Sequence, residues 1–386
     1  MDAHRSSALG LSLLLAANAL AQDVETWRTR QVGVGVTWQR VQQVRDGSPQ
    51  SFEVLTIAAE AQGSGVLRLL EPKQGQREET SVLGARGGAI AAINGGFFDV
   101  KTGEPDGLRV VDGALRSAAN ERRAEALVVD RAGSSGFRPA ASVEVSRVDL
   151  ALAAGPLLLR GGEVVESRRR EDPRHPRTAI GRRADGTLLL LCADGRTEHA
   201  AGLSFAELTA LMRELGCTDA LNLDGGGSTT LWLAAQGVVN HPCDNKLFDH
   251  RGERAVSDAL GVFAPLVVEL DEDDAMLVPG GAWTSVADGE ALDGDRARTD
   301  CEGARAVFQV GVPRNGRYRI TVDLRGSAEA PNVAIDGRAC APKASGPKDG
   351  WDLGSVQVDD APRTIEVVLV ARGPLALDAL RAVESR

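Results

Sequence analysis

The chain has 386 residues, 43% of them hydrophobic and 25% charged, so it can bury two or three domain cores and is not a disordered sequence. Its 44 Lys and Arg against 54 Asp and Glu give a formal net charge of −10. No basic patch with interleaved aromatic residues occurs, which argues against a nucleic-acid partner. Aromatic residues reach only 4%, which limits broad stacking platforms for polysaccharides.

The N-terminus has the pattern of a secretory signal peptide over residues 1–21. Residues 8–21 form a short apolar run, and Ala19, Leu20 and Ala21 before Gln22 give the small-x-small pattern of a cleavage site. A membrane span needs roughly 20 consecutive apolar residues, which is longer than this run. We therefore predict a secreted protein, extracellular or periplasmic, with no membrane span after the signal peptide.

Secretion would permit disulfide bonds among the five cysteines, which are Cys192, Cys217, Cys243, Cys301 and Cys340. The pairs Cys301–Cys340 and Cys192–Cys217 are the easiest to propose, and the odd count leaves at least one thiol unpaired in a monomer. Buried free thiols are the alternative, because this composition is not disulfide-dense.

Strand-like segments dominate residues 22–266. Turn dipeptides such as Asp112-Gly113 and Asp185-Gly186 predict hairpins between several of them. The predicted strands cover residues 31–44, 51–59, 66–70, 89–93, 126–129, 155–159, 188–192 and 220–223. Much of the sheet is therefore expected to be antiparallel.

Two helices are predicted within this part. Ser204 and Glu207 form a capping box, apolar residues after them repeat at helical spacing, and Gly216 is placed to end the helix. A weaker helical pattern covers residues 81–86. Each helix leads into a strand, so we predict an α+β domain with a hairpin-rich mixed sheet and a few helices.

An acidic run at residues 269–274 marks a domain boundary, and we predict a linker over residues 267–278. Beyond it, short β-type runs at residues 306–312, 318–324, 332–335 and 364–370 alternate with Pro and Gly turns. Residues 279–386 are therefore predicted to form an all-β sandwich.

Three polar clusters lie at the ends of predicted strands. Residues 94–99 read Asn-Gly-Gly-Phe-Phe-Asp, and Glu104 and Asp106 follow. Arg177 begins a strand, where its guanidinium suits a phosphate. Residues 222–230 read Asn-Leu-Asp-Gly-Gly-Gly-Ser-Thr-Thr, in which the glycines permit an anion-binding nest of backbone N–H groups beside Asp224. An ordinary turn is the alternative for the first cluster and a surface arginine for the second.

Other chemistries lack their motifs. The histidines show no paired metal-ligand spacing, and neither an HExxH nor a GxSxG pattern occurs, so a zinc or serine hydrolase is not expected. The glycine cluster is not a P-loop, because no Gly-Lys-Ser/Thr follows it.

In order and spacing, these motifs resemble the phosphodiester glycosidase family. The resemblance runs from about residue 31 to residue 264 and is carried by residues 94–98, 176–181, the Asp-Gly-Arg step at 194–196, the capped helix and residues 222–229. One position departs from the family pattern, because Asp258 stands where an asparagine is usual. Residues 279–386 resemble, more weakly, the golvesin-like and galactose-binding-like β-sandwich modules of secreted bacterial hydrolases.

The resemblance implies hydrolysis of the glycosidic bond of a sugar-1-phosphodiester, with α-linked N-acetylglucosamine as the expected sugar. Such a reaction needs a carboxylate to stabilise or attack the oxocarbenium-like carbon and cations or amides to hold the phosphate. Asp224 is the first candidate for the carboxylate, with Glu104 and Asp106 as candidates for a second. The expected substrate-binding residues are Asn94, Gly95, Arg177, Thr178, Gly225, Gly226, Gly227, Ser228, Thr229 and Asp258.

Two other functions stay open at this point. One is a non-catalytic cell-envelope glycan-binding protein, and the other is a metal-dependent phosphodiesterase with Asp99, Asp106 and Asp224 as oxygen ligands. No cofactor is expected for the glycosidase, although calcium or magnesium stays open. The expected partners are a phosphoglycan or sugar-1-phosphodiester substrate and, through the C-terminal domain, a cell-envelope glycan, with no nucleic acid.

Overall fold

The computed structural model describes residues 28–73, 76–165, 172–278, 282–287, 295–325, 330–345, 350–372 and 374–385. The predicted signal peptide lies outside the described residues. Among the residues that are described, no helix is long and apolar enough to cross a membrane.

The first part of the chain folds into antiparallel sheets. Its strands are β1 (Arg28–Gly33), β2 (Val36–Arg45), β3 (Ser48–Ile57), β4 (Leu67–Leu70), β5 (Ala91–Asn94), β6 (Arg109–Val111), β7 (Ala114–Ser117), β8 (Glu125–Asp130), β9 (Ser135–Pro139), β10 (Val148–Ala154), β11 (Leu157–Arg160), β12 (Glu163–Val164), β13 (Arg177–Arg183), β14 (Leu188–Ala193), β15 (Cys217–Asn222), β16 (Leu231–Leu233), β17 (Gly237–Val238) and β18 (Ala259–Val262). Its helices are α1 (Thr80–Gly87) and α2 (Phe205–Glu214). Within the described residues the sheet orders are β1-β2-β3-β14-β13-β15-β11-β12, β7-β6-β10-β8-β9 and β17-β16-β5-β18-β4.

The second part consists of strands. They are β19 (Val267–Asp271), β20 (Met276–Val278), β21 (Thr284–Ala287), β22 (Asp295–Thr299), β23 (Arg305–Val312), β24 (Gly316–Arg325), β25 (Asn332–Ile335), β26 (Arg338–Cys340), β27 (Lys343–Ala344), β28 (Gly350–Val358), β29 (Arg363–Val370) and β30 (Leu375–Ser385). One sheet has the order β21-β22-β30-β24-β28-β27, with β19 also on β30, and the other has the order β20-β23-β29-β25-β26. Phe308 and Val367 of one sheet and Tyr318 and Leu380 of the other lie in the same hydrophobic core, as a sandwich requires.

The fold is nearly all-β, so the predicted α+β class is wrong. Both predicted helices exist, but they have only 8 and 10 residues. Gly88, directly after α1, and Gly216, two residues after the last residue of α2, adopt positive φ values of 71° and 83° and lead the chain back to strands β5 and β15. The strand pairings of the described residues are antiparallel, which also corrects the expectation of a mixed sheet.

The five cysteines are thiols, and neither proposed disulfide forms. Cys192 lies on β14 and Cys217 on β15, with β13 between them. Two strand spacings separate such residues by roughly 10 Å, whereas a disulfide needs Cα atoms within about 7 Å. The order of the strands in the sheet, which cannot be read from the linear sequence, therefore keeps Cys192 and Cys217 too far apart to form a disulfide.

The acidic segment 267–278, which we predicted as a linker, contains strands β19 and β20. These strands pair with β30 and β23 of the sandwich. The side chains of Glu269 and Asp271 are 1% exposed and bind Arg381 and Arg30, respectively. These two buried carboxylates therefore have arginine partners within the fold.

Candidate functional site

Strand pairing brings the ends of several strands together. Ala179 of β13 pairs with Asn222 of β15, and Ala259 of β18 pairs with Asn94 of β5. The start of β13 therefore lies beside the end of β15, where the loop that begins with Asp224 leaves the sheet. The three polar clusters of the sequence meet at this place.

Asn94 joins these clusters through its side chain. It is fully buried, and its Nδ2 donates to the carbonyl oxygen of Asp224 at 2.7 Å. Its Oδ1 accepts from Thr178 Oγ1 at 2.8 Å and from the Thr230 N–H at 3.1 Å. The Thr178 hydroxyl also lies 3.3 Å from that of Thr229. These contacts favour a role for Asn94, Thr178 and Thr229 in holding the loop, rather than the sugar contact that we predicted for Asn94.

Asp224 is half-buried at the start of the glycine loop. Burial raises the pKa of its carboxyl group above the ordinary value. The nearby Ser228 hydroxyl, the Gly225 amide and the Arg254 guanidinium act in the opposite direction. The Asp258 carboxylate adds to the rise. A carboxylate with this environment in a polar site is a candidate for chemistry.

The glycines of this loop allow close contacts, but they do not form the predicted nest in full. The N–H of Gly226 donates to the carbonyl oxygen of Pro176 at 2.9 Å, so it is not available to a phosphate. Gly226 has a φ of 64°, which favours glycine, and a Cβ on Gly225 would lie 2.8 Å from Pro176 O. The Ser228 hydroxyl is fully buried and makes no hydrogen bond of ordinary length to the described residues. The same hydroxyl acts to lower the pKa of Asp224, which places it close to that carboxyl group.

The guanidinium of Arg177 contacts the segments on either side of its own strand and the start of α2. It is 8% exposed, its Nε donates to Leu203 O at 2.9 Å and its Nη2 donates to Pro173 O at 3.0 Å. Its guanidinium also stacks on Phe205 at 3.8 Å. Arg177 therefore anchors the start of α2, and its predicted contact with a phosphate stays a prediction.

Two other arginines lie at the loop. The guanidinium of Arg196 would be 3.2 Å from a Cβ on Gly226, and that of Arg254 would be 2.4 Å from a Cβ on Gly227. Arg254 forms a two-pronged ion pair with Asp244, with both contacts at 2.8 Å. Arg196 is exposed and has no carboxylate partner among the described residues. Each glycine thus leaves room for a guanidinium against the loop that follows Asp224.

Sequence reasoning missed these two arginines as site residues. Arg196 ends the Asp-Gly-Arg step that contributes to the family resemblance, so its motif was visible although its role was not. Its Nη2 lies 3.2 Å from His175 Nδ1, and its Nη1 lies 3.9 Å from Cys243 Sγ. Burial, together with Arg196 and Arg177, lowers the pKa of His175, which favours a neutral imidazole beside the guanidinium.

Asp258 is held by a buried arginine. The two side chains are each 2% exposed, and Arg109 Nε lies 2.6 Å from Asp258 Oδ2. Asp258 Oδ1 accepts from the Gly96 N–H at 2.8 Å. A Cβ on Gly95 would lie 1.9 Å from Asp258 Oδ1, so this position admits only glycine. Asp258 therefore organises residues 94–96.

The two candidates for a second carboxylate, Glu104 and Asp106, make no direct polar contact with Asp224 in the part of the chain that the structure describes. Asp106 accepts from Asn120 Nδ2 at 2.8 Å and from Arg123 Nε at 3.1 Å. Glu104 is exposed in the loop between β5 and β6. Within the described residues, no hydrogen bond or ion pair joins either side chain to Asp224. The carboxylate that acts electrostatically on Asp224 is Asp258 instead.

No group of three or more His, Cys, Asp or Glu side chains in the described part of the chain is arranged to hold a metal ion. Asp99, one of the three aspartates of the phosphodiesterase alternative, is engaged by the N–H groups of Lys101 and Thr102 at 2.7 and 3.0 Å. These hydrogen bonds lower the pKa of Asp99. Asp99, Asp106 and Asp224 are therefore not brought together as one set of ligands.

Residues 87–263 match the phosphodiester glycosidase family. The mouse N-acetylglucosamine-1-phosphodiester alpha-N-acetylglucosaminidase is 29% identical over 178 residues, which cover 41% of this chain and 34% of that protein. An SPbeta prophage-derived uncharacterized protein of Bacillus subtilis, YomE, is 39% identical over 92 residues, which cover 24% of this chain and 13% of that protein. The chain thus spans about a third or less of the length of these curated relatives.

A solved structure shows a similar fold. The catalytic domain of the zebrafish N-acetylglucosamine-1-phosphodiester alpha-N-acetylglucosaminidase, described as auto-inhibited by its pro-peptide, superposes with a TM-score of 0.50. The match covers 60% of this chain and 86% of that chain at 20% identity. At this level of identity, the likeness concerns the fold of the first part of the chain.

Proposed function

We propose that this chain, which carries a phosphodiester glycosidase family domain at residues 87–263, hydrolyses the glycosidic bond of a sugar-1-phosphodiester. The products are the free sugar and a phosphate monoester. The observation that carries the proposal is the arrangement at the glycine loop, where the Arg254 guanidinium acts on the Asp224 carboxylate and the Arg196 guanidinium lies against Gly226. One site thus offers an anion for the sugar carbon and cations for the phosphate.

The phosphate is assigned to the two arginines and to Ser228. A phosphodiester carries one negative charge, and a guanidinium binds its oxygens through a planar fork of N–H donors. Arg196 is exposed and without a carboxylate partner in the described structure, so it is open to such a ligand. The buried Ser228 hydroxyl supplies a further donor. We propose this assignment in place of the one predicted from the motifs for Arg177 and the Gly226 N–H.

Asp224 acts at the anomeric carbon. In a sugar-1-phosphodiester the leaving group is a phosphate, which is a weak base and needs little protonation to depart. The larger demand is stabilisation of positive charge on the oxocarbenium-like carbon, which a close carboxylate meets. Asp224 must be ionised for this, so its raised pKa is expected to move the loss of activity in acid to a higher pH.

The names of the relatives support N-acetylglucosamine in α linkage as the sugar. Secretion is proposed from residues 1–21 alone, and a phosphoglycan of the cell envelope would then be within reach. For the C-terminal sandwich we propose contact with glycan. Its Trp283 is 8% exposed and packs in the core, so the binding surface would have to be formed by other residues.

Product analysis tests the proposal. The protein is incubated with a phosphodiester of N-acetylglucosamine 1-phosphate, with and without a chelator, and the released sugar species are separated. We expect free N-acetylglucosamine. Asp224→Asn is expected to lower kcat by about 100-fold or more with a much smaller change in KM, because it removes charge stabilisation in the transition state. The control is Asp185→Asn, which changes an exposed carboxylate in the β13–β14 turn.

Three results would redirect the assignment. Release of sugar phosphate, sensitive to the chelator, would indicate a metal-dependent phosphodiesterase. Binding without turnover would indicate a glycan-binding protein. Full activity of Asp224→Asn would remove Asp224 from the mechanism, even if free sugar is produced. In the wild type, kcat/KM is expected to fall in acid at a pH above the ordinary Asp pKa of 3.8, because the raised pKa of Asp224 means that its carboxylate is lost at a higher pH.

A further inference from the structure

We propose that His241, oriented by Asp194, is the general base that takes a proton from the water attacking the sugar carbon. The assignment rests on the proposed glycosidase function and adds a residue that neither the family comparison nor the sequence motifs single out. It starts from a buried aspartate–histidine pair next to the glycine loop.

The pair is fixed at the aspartate. Asp194 directly follows β14 and is 1% exposed. Its Oδ2 lies 2.8 Å from His241 Nδ1 and accepts from Ser51 Oγ at 2.8 Å. Its Oδ1 accepts from the His241 N–H at 2.9 Å and from Asn240 Nδ2 at 3.0 Å. A carboxylate that faces Nδ1 places the imidazole proton there and leaves a lone pair on Nε2.

The plane of the imidazole is fixed as well. Phe248 stacks on the ring of His241 with centroids 3.7 Å apart and an interplanar angle of 11°. His250 covers it at 4.6 Å and is itself held by a contact of 2.7 Å between its Nδ1 and Asn240 O. His241 remains 8% exposed, and its Nε2 has no hydrogen-bond partner among the described residues. A locked ring with an open basic nitrogen is the arrangement that a general base requires.

The pair is linked to the glycine loop by direct contacts. Asn240 Nδ2, which binds Asp194, also donates to Thr229 O at 3.0 Å. Arg196, two residues beyond Asp194, lies against Gly226 and contacts Cys243 Sγ at 3.9 Å. Asp194 and His241 therefore belong to the two segments that border the loop of Asp224.

The chemical step balances without any further reactant. The oxygen of water bonds to the anomeric carbon while the bond from that carbon to the phosphate oxygen breaks. The electron pair of the broken bond leaves with the phosphate, which departs as a monoester dianion. His241 Nε2 accepts the proton that the water loses and returns it to solvent. Asp224 stabilises the positive charge on the carbon during the exchange.

Azide provides a test, because it is a nucleophile that has no proton to lose. We expect His241→Ala to lower kcat for hydrolysis by about 100-fold or more, with KM changed only a few-fold. Added azide should restore cleavage in this variant and yield a glycosyl azide. Asp194→Asn should show a loss of the same kind, because an amide can donate to Nδ1 and so favour the wrong tautomer.

His199→Ala is the matched control. His199 also contacts Phe248, with ring centroids 4.9 Å apart, but its side chain is 59% exposed and makes no contact with Asp194. This variant should keep its kcat within about twofold, since it removes no general base. Circular dichroism and thermal unfolding of each variant separate loss of function from loss of fold.

The outcomes distinguish the two proposals. If the wild type releases free sugar and His241→Ala does so at an undiminished rate, His241 is not the base and the glycosidase function stands. A folded His241→Ala that is inactive and gains nothing from azide also overturns the assignment, because it shows a structural role. If the wild type cleaves no sugar-1-phosphodiester, the proposed function fails and the assignment fails with it.

Discussion

The charge of Asp258 is balanced within this chain by the guanidinium of Arg109. The guanidinium also donates to Phe97 O at 2.9 Å, so it ties the loop after β5 to β6. Removal of one partner from a buried ion pair is costly, because it leaves the other charge without compensation. The pair thus links the position of residues 94–98 to the charge at residue 258.

We expect Asp258→Asn to lower the free energy of unfolding by about 3 kcal/mol or more, because Arg109 then keeps its buried charge without a counterion. Urea unfolding of the two single variants and of the double variant Arg109→Met/Asp258→Asn measures this. The double variant should recover much of the loss, since it removes both charges. A change below about 1 kcal/mol in Asp258→Asn would contradict the account.

Helix α1 is held close to its sheet by a glycine. A Cβ on Gly84 would lie 2.6 Å from Trp232 Cε3 and 2.8 Å from Ala92 Cβ, so helix and strands approach at this point. Alanine is the better helix former by about 1 kcal/mol, but overpacking of a core typically costs about 1–3 kcal/mol. We expect the packing cost to exceed the gain in propensity, so that Gly84→Ala destabilises the protein.

Gly87→Ala is the comparison for this prediction. Gly87 is the last residue of the same helix, and its added Cβ would meet only the end of the Leu70 side chain, at 2.9 Å. That side chain can move aside, so the variant should be close to wild type in urea unfolding. Equal stability of the two variants would show that α1 can shift away from β5 and β16.

Helices and strands were easier to predict from the sequence than the directions in which side chains point. The capping box of Ser204 and Glu207 is present at α2, and each strand predicted in residues 22–266 overlaps an observed strand. Local hydrogen bonding and alternation are enough for such features. The direction of the Arg177 side chain could not be predicted in this way. Its strand was predicted, but its contacts with Leu203 and Phe205 depend on how α2 packs. Arg109 could not be predicted either, because its partner Asp258 is 149 residues away.

At the scale of the whole molecule, the two parts of the chain are joined through β19. Gln31 N donates to Glu269 Oε2 at 2.6 Å, and Arg30 binds Asp271 at 2.8 Å. From the other side, Arg381 of β30 lies 2.5 Å from Glu269 Oε1. Leu266 and the residues around it lie in a hydrophobic cluster that includes members of both parts. A shared core and a shared buried carboxylate are features of a large, well-packed interface between domains.

We therefore expect the two parts to unfold together. Calorimetry should give one transition with a calorimetric enthalpy close to the van't Hoff enthalpy, as two-state unfolding requires. Glu269→Ala should lower the midpoint by roughly 5 °C or more, because it leaves Arg381 and the Gln31 N–H without their buried acceptor. Glu60→Ala, which removes an exposed carboxylate, should change the midpoint by about 1 °C at most. Two resolved transitions in the wild type would show that the sandwich folds independently, and the contacts of Glu269 would then contribute little to the stability of the first part.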